Sequence, residues 1–125
     1  MARISKEEFE KALLALEEAY SECNQQPLNS KAYKLLRDAA IQRFEFSIEI
    51  AWKVATKSLG GSSTSPKPAL REMLKSGLVV DIDQWFDFIE ARNKSSDSYD
   101  EAIATEVFSQ LATFISAARD LLSKI

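Results

Sequence analysis

Between Lys31 and Leu59 the chain contains neither glycine nor proline. Such a run has little choice but to continue as one helix of about 40 Å at 1.5 Å per residue. Leu36, Ala40, Phe44, Ile48, Ala51, Trp52, Ala55 and Leu59 recur along it at helical spacing and predict a core stripe. Asp38, Gln42, Glu45, Glu49 and Lys53 form a polar stripe on another side. Glu45 and Glu49 are neighbours of like sign, which costs a few tenths of a kcal/mol in water and more if they are buried without a cation. They are either a solvated face or the counter-charge for a cation elsewhere in the chain.

The rest of the chain fits around that helix. Ser5 with Glu8 makes a capping box, and Phe9, Ala12, Leu13, Leu16, Ala19 and Tyr20 predict a first helix from Lys6 to Glu22. Asn24 to Asn29 is a turn, with Asn29 or Ser30 capping the long helix. Gly60-Gly61 ends it and Ser62 to Ser65 is a loop. Pro66 and Pro68 suit the first turn of a short helix capped by Ser65, with Ala69, Leu70, Met73 and Leu74 on its apolar side and Gly77 at its end. Leu78-Val79-Val80 is a connector, since no second strand pattern exists to pair with it. Asp81 or Asp83 caps a helix to about Ser95, and a last helix runs from Asp100 to Ser123 on the stripe Ile103, Val107, Leu111, Phe114, Ala118 and Leu121. The fold class is all-α: one domain over residues 1–125, an antiparallel up-and-down four-helix bundle with an additional short helix. Only three Gly and three Pro oppose disorder and a turn-rich β fold.

Composition removes several chemistries. There is no His, hence no usual general base, metal ligand or pH switch. Nucleophilic triads, a glycine-rich phosphate loop and a two-metal carboxylate site all lack their parts. The one cysteine, Cys23, cannot form an internal disulfide and suggests a reducing compartment; no metal or cofactor is expected. A net charge of −3 opposes a broad basic surface for nucleic acid, although a local basic cleft is compatible with it. No membrane-length apolar run exists, and Met1 to Glu8 lacks a signal core, so a cytoplasmic location is expected. Phe44, Phe46, Trp52, Trp85 and Phe86 are expected in the core rather than on a base-stacking surface.

What remains is a polar segment from Ala91 to Asp100. Trp85, Phe88 and Ile89 recur at helical spacing, and the next position on that stripe is Arg92. A cation continuing an apolar face needs a partner. Arg92 is either a structural cation paired with an acidic residue, for which Glu45 and Glu49 are the candidates, or a guanidinium held ready for phosphate. Asn93, Asp97 and Tyr99 complete the candidate site.

Three stretches carry a resemblance: Arg43-Phe44-Glu45-Phe46-Ser47-Ile48-Glu49-Ile50-Ala51-Trp52-Lys53; Ser65-Pro66 with Ala69-Leu70-Arg71-Glu72 and Lys75-Ser76-Gly77-Leu78; and Arg92-Asn93-Lys94-Ser95-Ser96-Asp97-Ser98-Tyr99-Asp100. Together they resemble the nucleotidyltransferase substrate-binding protein family of the HEPN superfamily, from about Ser5 to Leu122. The resemblance implies a four- or five-helix bundle that forms a homodimer and binds a small nucleotidyltransferase encoded beside it, with nucleotide or RNA as a further ligand. It implies that Arg92 is a phosphate-binding or catalytic residue, Asn93 its motif neighbour, and Tyr99 an acceptor for nucleotidyl transfer. Some relatives are toxin ribonucleases restrained by their transferase, and they use the motif His as well as the Arg. Here Asp97 takes the place of that His. A carboxyl of ordinary pKa is ionised near neutral pH, so it repels a phosphodiester instead of protonating a leaving group; alternatively it pairs with Arg92. The resemblance therefore implies first a partner subunit that is not an enzyme on its own. A metal-independent ribonuclease and a purely structural helical dimer are the alternatives. The polar stripe of the long helix and the Arg92 region are the expected dimer face.

Overall fold

The structure, a computed structural model, describes residues 4–125; residues 1–3, part of the amino-terminal stretch read above, lie outside it. Six helices follow one another: α1 (Lys6–Asn24), α2 (Lys31–Ser58), α3 (Pro66–Lys75), α4 (Ile82–Asp97), α5 (Glu101–Phe108) and α6 (Leu111–Lys124). There is no strand among the described residues.

The ends of the helices follow local chemistry. Ser5, Ser30, Asp81 and Asp100 each accept a hydrogen bond from a backbone N–H one turn into their helix, satisfying an otherwise orphaned donor. Ser65 makes no such bond; the prolines at 66 and 68 start α3 by fixing φ and by having no N–H to satisfy. After α2 and after α3 the chain turns through a left-handed residue, Gly60 at φ 67° and Gly77 at φ 81°.

Cross-links between helices give the topology. Cys23 Sγ meets Tyr33 O at 3.3 Å, Arg43 Nη1 meets Ala15 O at 2.7 Å, and Lys57 Nζ meets Ile4 O at 3.2 Å. Later α2 residues thus meet earlier α1 residues, and the pair is antiparallel. Glu45 with Ser95 and Glu49 with Arg92 set α2 against α4 in the same way, and Lys94 with Glu106 sets α4 against α5. The bundle runs α1 up, α2 down, α4 up and α5–α6 down, with α3 packed on α2 and α4. α2 touches all five other helices, and for that reason it is buried around much of its circumference.

The core centres on edge-to-face aromatics from three helices. Phe114 of α6 meets Phe44 of α2 at 4.9 Å, Phe88 of α4 at 5.2 Å and Trp85 at 5.9 Å between ring centroids.

Three expectations change. The helix expected from Asp100 to Ser123 is interrupted at Ser109-Gln110. Gln110 N bonds Val107 O at 3.0 Å, three residues back, and the Ser109 hydroxyl donates to Glu106 O at 2.6 Å. This side-chain competition bends the ladder, as serine does in other helices. The apolar stripe stays in phase across the bend, so periodicity carries no sign of it. Phe46 and Leu59, both expected in the core, are 50% and 37% exposed, Phe46 because it points away from the side on which Phe44, Ser47 and Ile48 are buried, and Leu59 because it caps the end of α2. α1 and α4 each run two residues further than their composition predicts, to Asn24 and Asp97.

Candidate functional site

The polar stripe of α2 faces the end of α4 and the start of α5, and it supplies a partner for each turn of the motif. At one end Glu49 Oε1 lies 3.3 Å from Arg92 Nε. The N–H is not aligned on the carboxylate, and Nε is a buried donor without a hydrogen bond. Arg92 is 33% exposed at its side chain, and Glu49 29%. Glu49 also lies 3.7 Å from Lys53 Nζ. One carboxylate therefore serves two cations, and Arg92 keeps unspent donor capacity.

One turn along, Glu45 Oε2 accepts from Ser95 Oγ at 2.6 Å and from Ser96 Oγ at 3.2 Å. These serines fasten the last turn of α4 to α2. Asn93 is exposed. Asp97, the last residue of α4, is exposed, and it has no ion pair among the described residues; the two cations of the motif, Arg92 and Lys94, are paired to Glu49 and Glu106 instead.

At the other end stands a cluster built on Arg37. This side chain is only 5% exposed. Its two terminal nitrogens hold both oxygens of Glu101, at 2.9 and 3.0 Å, in the fork geometry that makes Arg–carboxylate pairs strong. Its Nε donates to Asp38 Oδ1 at 3.0 Å. The same oxygen accepts the phenolic O–H of Tyr99. Hydrogen bonds from the guanidinium to Glu101, with Asp38 adding to them, push the Arg37 pKa up against the opposing effect of burial. The Arg37 guanidinium in turn holds Glu101 below the ordinary carboxylate range. Tyr99 is raised above the ordinary phenol value, by burial first and then by its bond to the Asp38 carboxylate. Tyr99 is nevertheless 45% exposed, in the irregular link between α4 and α5.

The candidate residues are therefore strung along one helix face and do not gather at one point. Arg92, Ser95 and Tyr99 meet α2 at Glu49, Glu45 and Asp38 in turn. Glu49 and Asp38 are eleven residues apart, about 16 Å along the axis. Tyr99 does not stand beside Arg92 within one protomer. Arg37 escapes the sequence reading although a signal is present. It lies on the stripe of Ile41, Phe44 and Ile48, as Arg92 lies on that of Trp85, Phe88 and Ile89. The same rule, a cation continuing an apolar face, marks both.

Among the described residues no three His, Cys, Asp or Glu side chains gather as a metal site, and no helix is long and apolar enough to cross a membrane.

Comparison with known proteins identifies the family and the fold. The Haemophilus influenzae protein named probable ribonuclease HepT is 31% identical over 94 residues, which are 69% of this chain and 64% of the relative. The chain thus spans somewhat less than two thirds of that relative's length. Among solved structures, one from Haemophilus influenzae, described as revealing the fold of a substrate binding domain of a nucleotidyltransferase, superposes with a TM-score of 0.81. It is 27% identical, with 94% of this chain and 96% of that one covered. A crystal structure from Thermus thermophilus gives a TM-score of 0.78 at 28% identity, covering 93% and 97%. Both share the all-helical bundle. A family model described as nucleotidyltransferase substrate binding protein like matches residues 5–125, and to that family this chain belongs.

Proposed function

We propose that this chain is the substrate-binding partner of a small nucleotidyltransferase and works with it as a homodimer, without catalysing a reaction on its own. In this reading Tyr99 is the acceptor of a nucleotidyl group, and Arg92, with Asn93 beside it, contacts phosphate of nucleotide or RNA. The observation that carries the reading is the placement of Tyr99. Its phenol is exposed on an irregular link between two helices, where the active site of a second protein can reach it, and a carboxylate holds its O–H.

The separation along α2 divides the roles. A phosphate at Arg92 and a phosphorus under attack by Tyr99 lie about three helical turns apart in one protomer. Arg92 and Tyr99 therefore serve different groups, or the same ligand bridges two protomers of a closed two-fold dimer.

The ribonuclease reading is favoured by one observation, the incompletely satisfied guanidinium of Arg92. It lacks an acid. Asp97, at the motif position of the His, is an exposed carboxyl. Incubation with a partner nucleotidyltransferase and ATP, followed by mass mapping, tests the proposal. An adduct on Tyr99 is expected, absent in Tyr99→Phe. Cleavage of RNA by the purified chain, lost in Arg92→Ala, would replace this reading with the enzymatic one.

A further inference from the structure

We infer that Asp38 is the general base for nucleotidyl transfer to Tyr99, built into the acceptor protein and not supplied by the transferase. The inference rests on the acceptor role proposed for Tyr99 and adds the group that takes its proton.

A neutral phenol is a weak nucleophile, and transfer to it is eased by a base within hydrogen-bond reach of the proton. The Tyr99 O–H already points at Asp38 Oδ1. Glu101, the other carboxylate of the cluster, has both oxygens on the terminal nitrogens of Arg37 and makes no bond to the phenol. Asp38 is thus the acid–base group in contact with the nucleophile. Burial and the Asp38 bond favour the protonated phenol at neutral pH, so the proton leaves as the new bond forms and not beforehand.

In the step, Tyr99 Oη attacks the α-phosphorus of a nucleoside triphosphate held by the transferase. The Oη–P bond forms, the bond from the α-phosphorus to the bridging oxygen breaks, and pyrophosphate leaves with that electron pair. The phenolic proton passes to Asp38 Oδ1 and from there to water. Arg37 makes this transfer tolerable for the fold. Once Asp38 is protonated, the buried guanidinium still has the bidentate Glu101, so no buried cation is left without a counter-charge. Arg37 Nε also fixes the carboxylate that faces the phenol, at 3.0 Å. Arg37 is in this sense a positioning residue, since it acts through Asp38.

The test is a single-turnover measurement with the partner transferase and ATP, following the adduct on Tyr99 by mass spectrometry. Asp38→Asn keeps the size and a carbonyl acceptor but is not a base. It is expected to slow transfer about 100-fold or more, with unchanged helicity and unchanged affinity for the transferase. A second readout needs no substitution: transfer to the unaltered chain should be about twofold slower in D2O if the proton moves in the rate-limiting step. Transfer to Asp38→Asn within about threefold of the parent rate overturns the role of Asp38 and leaves Tyr99 as acceptor. Absence of any adduct on Tyr99 of the unaltered chain, while the transferase modifies another acceptor, overturns the acceptor role and this inference with it.

Discussion

The two ends of the α2 polar face hold an arginine each, and the two are treated differently. Arg37 and Arg92 both continue an apolar helical stripe, and both meet carboxylates across the same groove. Arg37 is almost fully buried and spends its fork on Glu101 and its Nε on Asp38. Arg92 is a third exposed, shares Glu49 with Lys53, and leaves Nε without a hydrogen bond. The first is a clamp that binds α2 to the start of α5. The second is a cation held in place with its bonding incomplete. Position on an apolar stripe thus finds such residues, and the exposure of the guanidinium tells which of them is available to a ligand.

The largest expected effect separates them by stability. Arg37→Ala removes the clamp and the packed aliphatic stem, and should cost about 3 kcal/mol in urea denaturation. Arg92→Ala should cost less than about 1 kcal/mol, since its pairing is partly solvated. Equal losses would break the comparison.

Next comes Glu49→Gln, which takes away the counter-charge of Arg92. If Arg92 contacts phosphate, titration calorimetry with AMP should show affinity rising about fivefold, on the order of 1 kcal/mol. An unchanged or weakened affinity would mean that Glu49 positions the guanidinium and does not restrain it.

The Arg37 cluster also has a pH signature at each extreme. The Tyr99 pKa is raised on folding, so its contribution is complete below the unfolded value of about 10 and is lost as pH climbs through the folded one. Above pH 10 the parent chain should lose more stability than Tyr99→Phe. Glu101 is lowered by Arg37, so its contribution is present above the unfolded carboxyl value and fades as pH falls through the folded one. That acid limb should flatten in Glu101→Gln, whereas Arg92→Ala should leave both limbs as they are. Denaturation midpoints across pH decide this.

The smallest effect is a control. Lys94 and Glu106 pair at 2.8 Å in full view of solvent, and Lys94→Gln should leave the midpoint unchanged within error. A measurable loss there would show that exposed pairs in this bundle matter more than their setting suggests.

Much of the fold was legible because helix ends are written in local chemistry. Ser5, Ser30, Asp81 and the glycines after α2 and α3 mark their boundaries with few alternatives. The bend at Ser109 was hidden, since an apolar stripe that keeps its phase hides a single slipped hydrogen bond. At the site, Glu49 could be nominated as a partner of Arg92 because like charges four apart on a helix ask for a cation. The bond from Tyr99 to Asp38 could not be read, because it joins residues distant in sequence, and nothing local to either names the other. Phe46 shows the limit of composition: an aromatic inside a core-rich run still faces outward if its angle on the helix is wrong.

The position of α2 in contact with all its neighbours has a consequence for amide exchange. Amides in the middle of α2, around Ile48 to Ala51, are covered from several sides and should exchange only when the whole bundle opens. α5 is eight residues long and lies between two interruptions of the helical ladder. Its amides should therefore exchange sooner than those of α2. An opening confined to α5 would lift Glu101 off Arg37 and uncover the guanidinium while the rest of the bundle stays folded.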